Sequence, residues 1–194
     1  IHLDNSKAYL LETRLASLLE QERCTRFSEL YHKARHLGGE TLRQKIIDRI
    51  STNETLFFRD IRPFELLQHK ILPDLIDARR AASSGFFPTP IRIWSAACST
   101  GQEIYSVAIV LKELLRDLEG YRIQLLGTDL SSAAIARASR GEYNQFEIKR
   151  GLSEDKLKKY FTFNGNVWKI SDEIRAMVTF EKANLMVPFG GLGR

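Results

Sequence analysis

Residues 91–106, IRIWSAACSTGQEIYS, restrict the fold more than any other stretch of the chain. An apolar run, a turn of small side chains and an amphipathic segment follow one another without a gap, as in the strand–turn–helix unit of a parallel sheet. Ile104, Val107, Ala108, Leu111, Leu114, Leu115 and Leu118 share one side of the helix, and Gly120 is placed to end it. YRIQLLGTDL then reads as a second strand, and SSAAIARASRG as a second helix with serine at its start and Gly141 past its end. Strand, helix, strand, helix with short connections predicts parallel strands joined by right-handed crossovers. Residues 159–171, KYFTFNGNVWKIS, break that rhythm. Two aromatic-rich runs flank NGN, a hairpin signal, and AMVTFEKANLM resumes a buried-strand pattern after it. The expected fold is α/β: a Rossmann-like domain with a small antiparallel β-subdomain inserted at about 157–174.

Everything upstream reads as helix. Leu10, Leu11, Leu15, Leu18 and Leu19 fall at helical spacing, and SELYHKAR and ETLRQKIIDRI form two further helices separated by Gly38-Gly39. RPFELLQHKILPDLIDARRAA follows, with Pro63 suited to a first helical turn and Pro73 expected to break or kink the helix. SSGFFPTP then crowds glycine, serines and two prolines into eight residues, a linker signal. The expected organisation is an all-helical N-terminal domain at 1–80, a linker at 81–90 and an α/β domain at 91–194.

Charge narrows the partners. The net charge is +5, yet residues 1–80 hold 14 Lys/Arg against 12 Asp/Glu and residues 91–194 hold 15 against 12, so neither half is a basic nucleic-acid module. The local excess from Arg23 to Arg49 reads as a solvated helical face or as a docking surface for an acidic partner. No apolar run reaches the ~18 residues that span a bilayer, so no membrane insertion is expected. Cys24 and Cys98 form neither a metal-ligand spacing nor a disulfide framework, which points to a reducing compartment, the cytoplasm by default, and to no bound metal.

The turn itself carries the chemistry. Ala97, Ser99 and Gly101 occupy the alternate positions at which a nucleotide-binding loop carries glycines, so backbone can approach a ligand there. No lysine follows in the pattern that cradles a triphosphate. The loop offers Glu103 instead, and the next strand ends in Asp129, where such folds bind ribose hydroxyls. Each acid also has a structural role open to it. Thr100 to Glu103 fits a capping box, and Asp129 could cap the helix starting near Ser131. An acidic, lysine-free pocket repels pyrophosphate and suits a ligand with ammonium, sulfonium and ribose, namely S-adenosylmethionine.

STNETLFFRD (51–60), RIWSAACSTGQEIYS (92–106), LLGTDLSSAAIARASRGEY (125–143) and VTFEKANLM (178–186) occur in this order and spacing. Together they resemble the CheR family of chemotaxis receptor glutamate methyltransferases, and HLDNSKAYLLETRLASLL resembles that family's N-terminal helical domain. The resemblance implies a protein-glutamate O-methyltransferase that uses S-adenosylmethionine and releases S-adenosylhomocysteine. It implies that Asn53, Thr55 and Arg59 reach over the cofactor, with Arg59 also the catalytic candidate, and that Ala97, Glu103 and Asp129 bind its amino-acid and ribose parts. Asn184 and Leu185 would lie near the adenine. The implied partners are the cytoplasmic helices of methyl-accepting chemotaxis receptors, at arrays near the inner membrane. Phe57 and Phe58 read from composition as core anchors for their segment.

Departures from the family pattern qualify this. Gln102-Glu103-Ile104 stands where two acids and a proline are usual, and Ser17-Leu18 where paired arginines are usual. The NGN turn lacks the glycine-containing extension of peptide-binding members, so no peptide tether is expected. The chain begins at Ile1 and ends in VPFGGLGR after three expected parallel strands. The expectation is therefore that C-terminal strands of the sheet lie outside this chain, and that it is inactive alone. A dinucleotide oxidoreductase has no use for TNETLFFRD, and a nucleic-acid methyltransferase would show an N/D-P-P-Y-type or catalytic-cysteine motif. A non-catalytic S-adenosylmethionine-binding regulatory or docking module stays open as the alternative.

Overall fold

The computed structural model describes residues 6, 8–82, 88–115 and 117–187. The heart of the expected linker (83–87) and the last seven residues of the chain lie outside that set.

Three helices open the chain: α1 (Ala8–Gln21), α2 (Phe27–Arg35) and α3 (Glu40–Ile50). Their apolar stripes meet in a small core of Leu15, Leu18, Leu30, Ala34 and Leu42. A strap, 51–60, leads to α4 (Ile61–Leu66) and α5 (Leu72–Ala82). Pro73 does not break this run. Residues 67–71 form a single π turn, in which the Leu72 N–H reaches back five residues to the Leu67 carbonyl. The widened turn lies just upstream of the proline, where a tighter one would press its ring onto the carbonyl four residues back. Phe64, Leu72 and Ile76 pack into the α/β core and not against the first three helices. Apolar packing thus divides near Ser51, well before the 81–90 stretch where the composition shift falls.

The parallel sheet has the order β1–β2–β6, with β1 (Thr89–Ala96), β2 (Tyr121–Asp129) and β6 (Val178–Lys182). The helix α6 (Gln102–Leu114) is buried on nearly every side, with Ile104, Tyr105, Ala108, Ile109 and Leu111 fully enclosed. It stops at Leu114, before the expected end. Leu115 and Leu118 join the core without being helical, and the Gly120 carbonyl accepts from Thr89 N–H at the start of β1. α7 (Ser132–Arg140) is capped as its sequence dictates. The Ser131 hydroxyl accepts from Ala134 N–H, and Gly141 takes φ +64 after the last turn.

A second sheet, antiparallel, has the order β3–β5–β4: β3 (Glu142–Tyr143), β5 (Val167–Ile170) and β4 (Phe161–Asn164). Asn164 pairs with Val167, so Gly165-Asn166 alone turn the hairpin. The expected insert at about 157–174 captured the hairpin but not β3, which borders β5 from just past α7. A two-residue strand has no periodicity to read. Between them lie α8 (Gln145–Lys149) and α9 (Glu154–Tyr160), and α10 (Asp172–Ala176) leads into β6. β6 is half exposed, where a buried strand was expected, because within the described sheet only β2 pairs with it.

Candidate functional site

The turn from β1 into α6 is built from left-handed backbone. Ala97, Ser99 and Gly101 have φ of 58°, 52° and 92°, so the alternate small residues are the ones that need glycine-like conformations. Two of them are not glycine, at a cost of about 1–2 kcal/mol each. Three hydrogen bonds hold the shape: Cys98 N–H to the Thr128 carbonyl (2.8 Å), Gly101 N–H to the Cys98 carbonyl (3.0 Å) and Ser99 N–H to Asp129 Oδ2 (2.8 Å). A Cβ on Gly101 would crowd Ala138 Cβ at 3.0 Å and Phe180 at 3.2 Å, so a side chain there would also press on α7 and β6.

Asp129 ends β2 almost buried. Its second oxygen accepts from Ser131 N–H at 2.9 Å, so the carboxylate bridges the two loops above the sheet. It does not cap α7, since Ser131 does that with its own hydroxyl. The capping box expected at Thr100–Glu103 is absent. Gly101 holds the cap position of α6 with no side-chain bond, and the Thr100 hydroxyl donates to Gln102 Oε1. Glu103 instead turns towards β1 and accepts from the Ser95 hydroxyl at 2.7 Å. Gln102 is buried beneath the turn, away from the cavity. The acid missing from the family pattern is therefore the one that would not face a ligand.

The strap 51–60 forms another wall. Phe57 is fully buried, edge-on to Tyr143 and Phe161, and Phe58 N–H donates to Ser106 Oγ at 3.0 Å. Both phenylalanines are core anchors, as composition suggested. Phe58 and Asp60 have φ of 49° and 53°, which turns the chain sharply on either side of Arg59. Arg59 is mostly exposed, and its Nε stands 4.0 Å from Asp60 Oδ2. An exposed pair at that distance holds little energy. The last wall follows β6, where Ala183 N–H donates to the Asp129 carbonyl and Asn184 Oδ1 accepts from Met186 N–H.

These walls enclose a cavity of about 540 Å³, a size that admits a nucleoside-bearing ligand. All eight expected residues border it: Asn53, Thr55, Arg59, Ala97, Glu103, Asp129, Asn184 and Leu185. Sequence reasoning missed Glu54, Phe64, Cys98 and Met186 on its lining, and Ser95 behind Glu103. Ser95 had a readable signal, because it follows Ile91 and Ile93 at the two-residue period that faces α6. Cys98 is a buried free thiol. Burial, and secondarily the Asp129 carboxylate, push it up to about 12, so it is no thiolate nucleophile at neutral pH.

A parallel sheet flanked by helices, with a small-residue turn after its first strand and an acid ending the second, places the chain in the Rossmann-like methyltransferase class. The chain belongs to the CheR methyltransferase family: residues 53–190 match the family's SAM-binding domain. Over its full length it is 37% identical to chemotaxis protein methyltransferase 1 of Pseudomonas aeruginosa, of which it covers 69%. It is 36% identical to chemotaxis protein methyltransferase Cher2 of Pseudomonas putida, covering 70%, and 34% identical to the chemotaxis protein methyltransferase of Vibrio anguillarum, covering 68%. Among the described residues no helix is long and apolar enough to cross a membrane.

Proposed function

We propose that this protein transfers the methyl group of S-adenosylmethionine to glutamate side chains of methyl-accepting chemotaxis receptors in the cytoplasm. The supporting observation is one cavity, without a lysine, in which Glu103, Asp129 and the Asn53–Arg59 strap face one another. In this reading Asp129 takes the ribose hydroxyls, Glu103 and the Ala97 backbone take the amino-acid end, and Asn184 and Leu185 border the adenine. Asn53 and Thr55 close over the ligand. A substrate glutamate is ionised at neutral pH, so its oxygen attacks the methyl carbon without a general base. The sulfonium leaves as a neutral thioether. Charge disappears as the bond forms, so alignment and water exclusion carry the catalysis. Arg59, whose ion-pair partner among the described residues is the exposed Asp60 at 4.0 Å, orients the acceptor carboxylate.

The domain reading is part of the proposal, with its boundary moved to the strap: α1–α3 dock the receptor, and the strap and the α/β unit together hold the cofactor. The small sheet around the NGN turn serves without a peptide tether. Titration calorimetry with S-adenosylhomocysteine, paired with transfer of tritiated methyl to receptor fragments, tests the whole. Saturable binding with base-labile label on receptor glutamates is the expected result. Binding without transfer to receptor in the full-length protein would turn the reading to a regulatory module.

A further inference from the structure

The strap is anchored at both ends. At its start, Arg14 Nη1 of α1 donates to the Ile50 carbonyl at 2.6 Å and to Thr52 Oγ1 at 3.0 Å. At its end, Phe57 and Phe58 are buried in the α/β core. Between these anchors, among the described residues, one hydrogen bond ties it to that core: the Ser99 hydroxyl donates to the Asn53 carbonyl at 3.0 Å. The same residue's N–H holds Asp129 Oδ2 at 2.8 Å. Ser99 is buried and sits at φ 52°, a conformation that a side chain adopts at a cost.

We infer that Ser99 is a positioning residue that sets the distance between the strap and Asp129 across the cavity. Its backbone fixes the acid and its hydroxyl fixes Asn53, so a ligand meets both walls already in register. This also accounts for a serine where glycine would relieve the backbone, since glycine supplies the N–H but not the hydroxyl. The inference rests on the cavity being the S-adenosylmethionine site.

Two variants separate positioning from simple stability. Ser99→Ala and Ser99→Gly both lose the hydroxyl and keep the N–H, but only glycine relieves the positive φ. Ser99→Gly is therefore expected to melt above Ser99→Ala. Calorimetry with S-adenosylhomocysteine should nonetheless show both weakened alike, by about three- to tenfold, as for one lost hydrogen bond. In the ligand-free full chain, amide hydrogen exchange of peptides spanning 50–57 should quicken in both. Affinity that follows the melting order, or exchange unchanged from wild type, would overturn the inference. A wild-type chain that fails to bind S-adenosylhomocysteine would instead remove the cofactor reading, and the exchange rates would still decide whether Ser99 holds the strap.

Discussion

Asp129 and Cys98 lie side by side under the turn and respond differently to change. Both Asp129 oxygens are met by backbone N–H groups, so the carboxylate is fixed before any ligand arrives. Asp129→Ala should cost about 1–3 kcal/mol of S-adenosylhomocysteine binding, as for a charge-assisted hydrogen bond, with calorimetry as the readout. Undiminished binding would remove the ribose assignment. Cys98 predicts a pH dependence. Its folded pKa is raised from 9.0 to about 12, so the folded protein keeps a proton that the unfolded chain releases. That contribution is fully present below pH 9 and is lost as pH climbs towards 12. Urea unfolding at pH 8 and pH 10.5 should therefore show wild type losing more stability than Cys98→Ala over the same interval. Both residues were visible in the sequence as an acid at a strand end and an isolated thiol. The bonds of Asp129 were not, because its partners are main-chain groups of two different loops.

At the scale of elements, two glycines with positive φ make a matched pair. Gly165 in the hairpin turn has φ +66° and open space around its Cβ position. Gly151, before α9, has φ +94°, and a Cβ there would lie 1.9 Å from the Phe57 carbonyl oxygen. Gly165→Ala should cost only the left-handed strain, about 1–2 kcal/mol. Gly151→Ala should cost clearly more and should also weaken S-adenosylhomocysteine binding, because the end of the strap must move. Denaturant midpoints and calorimetry on the two variants test this, and equal costs would show that the contact is soft. The hairpin carries a second prediction. With Asn164 paired to Val167, the turn leaves no room for a looped extension, so a receptor-type C-terminal pentapeptide should show no saturable binding. Micromolar binding abolished by disrupting residues 161–170 would reverse that proposal. The hairpin was legible from NGN and its aromatic flanks. The end of α6 was not, because Leu115 and Leu118 keep an apolar spacing to serve the core after the helix has ended.

Across the whole molecule, the basic excess of the first fifty residues is partly spent within the helices. Lys33 and Lys45 pair with Glu22, Arg43 pairs with Glu40, and Arg49 bonds Ser17 and Gln21. Arg23 and Arg26 are exposed and take part in none of the ion pairs among the described residues. Reversing both to glutamate should weaken docking to receptor fragments at low salt, with the difference fading as ionic strength rises. Methylation rates measured across a salt series supply the test, and an unchanged low-salt rate would place the docking face elsewhere. The helical unit also reaches the site directly. Asp48 of α3 accepts from the Ser131 hydroxyl at 2.8 Å, and Gln44 donates to the Leu130 carbonyl at 3.3 Å.

The sequence alone determined the alternation of strand and helix, the caps of α7, the small residues of the turn and the acid at the end of β2. Each of these depends on local backbone chemistry or on side-chain period, which a linear pattern records. Only the tertiary structure decided that Glu103 answers Ser95 and not its own cap, that Gln102 turns inward, and that α4 and α5 pack on the sheet. It likewise decided that one serine joins the strap, through its hydroxyl, to the acid, through its N–H. Those outcomes depend on which distant groups compete for the same donor or the same apolar surface, and that competition exists only once the chain has closed on itself.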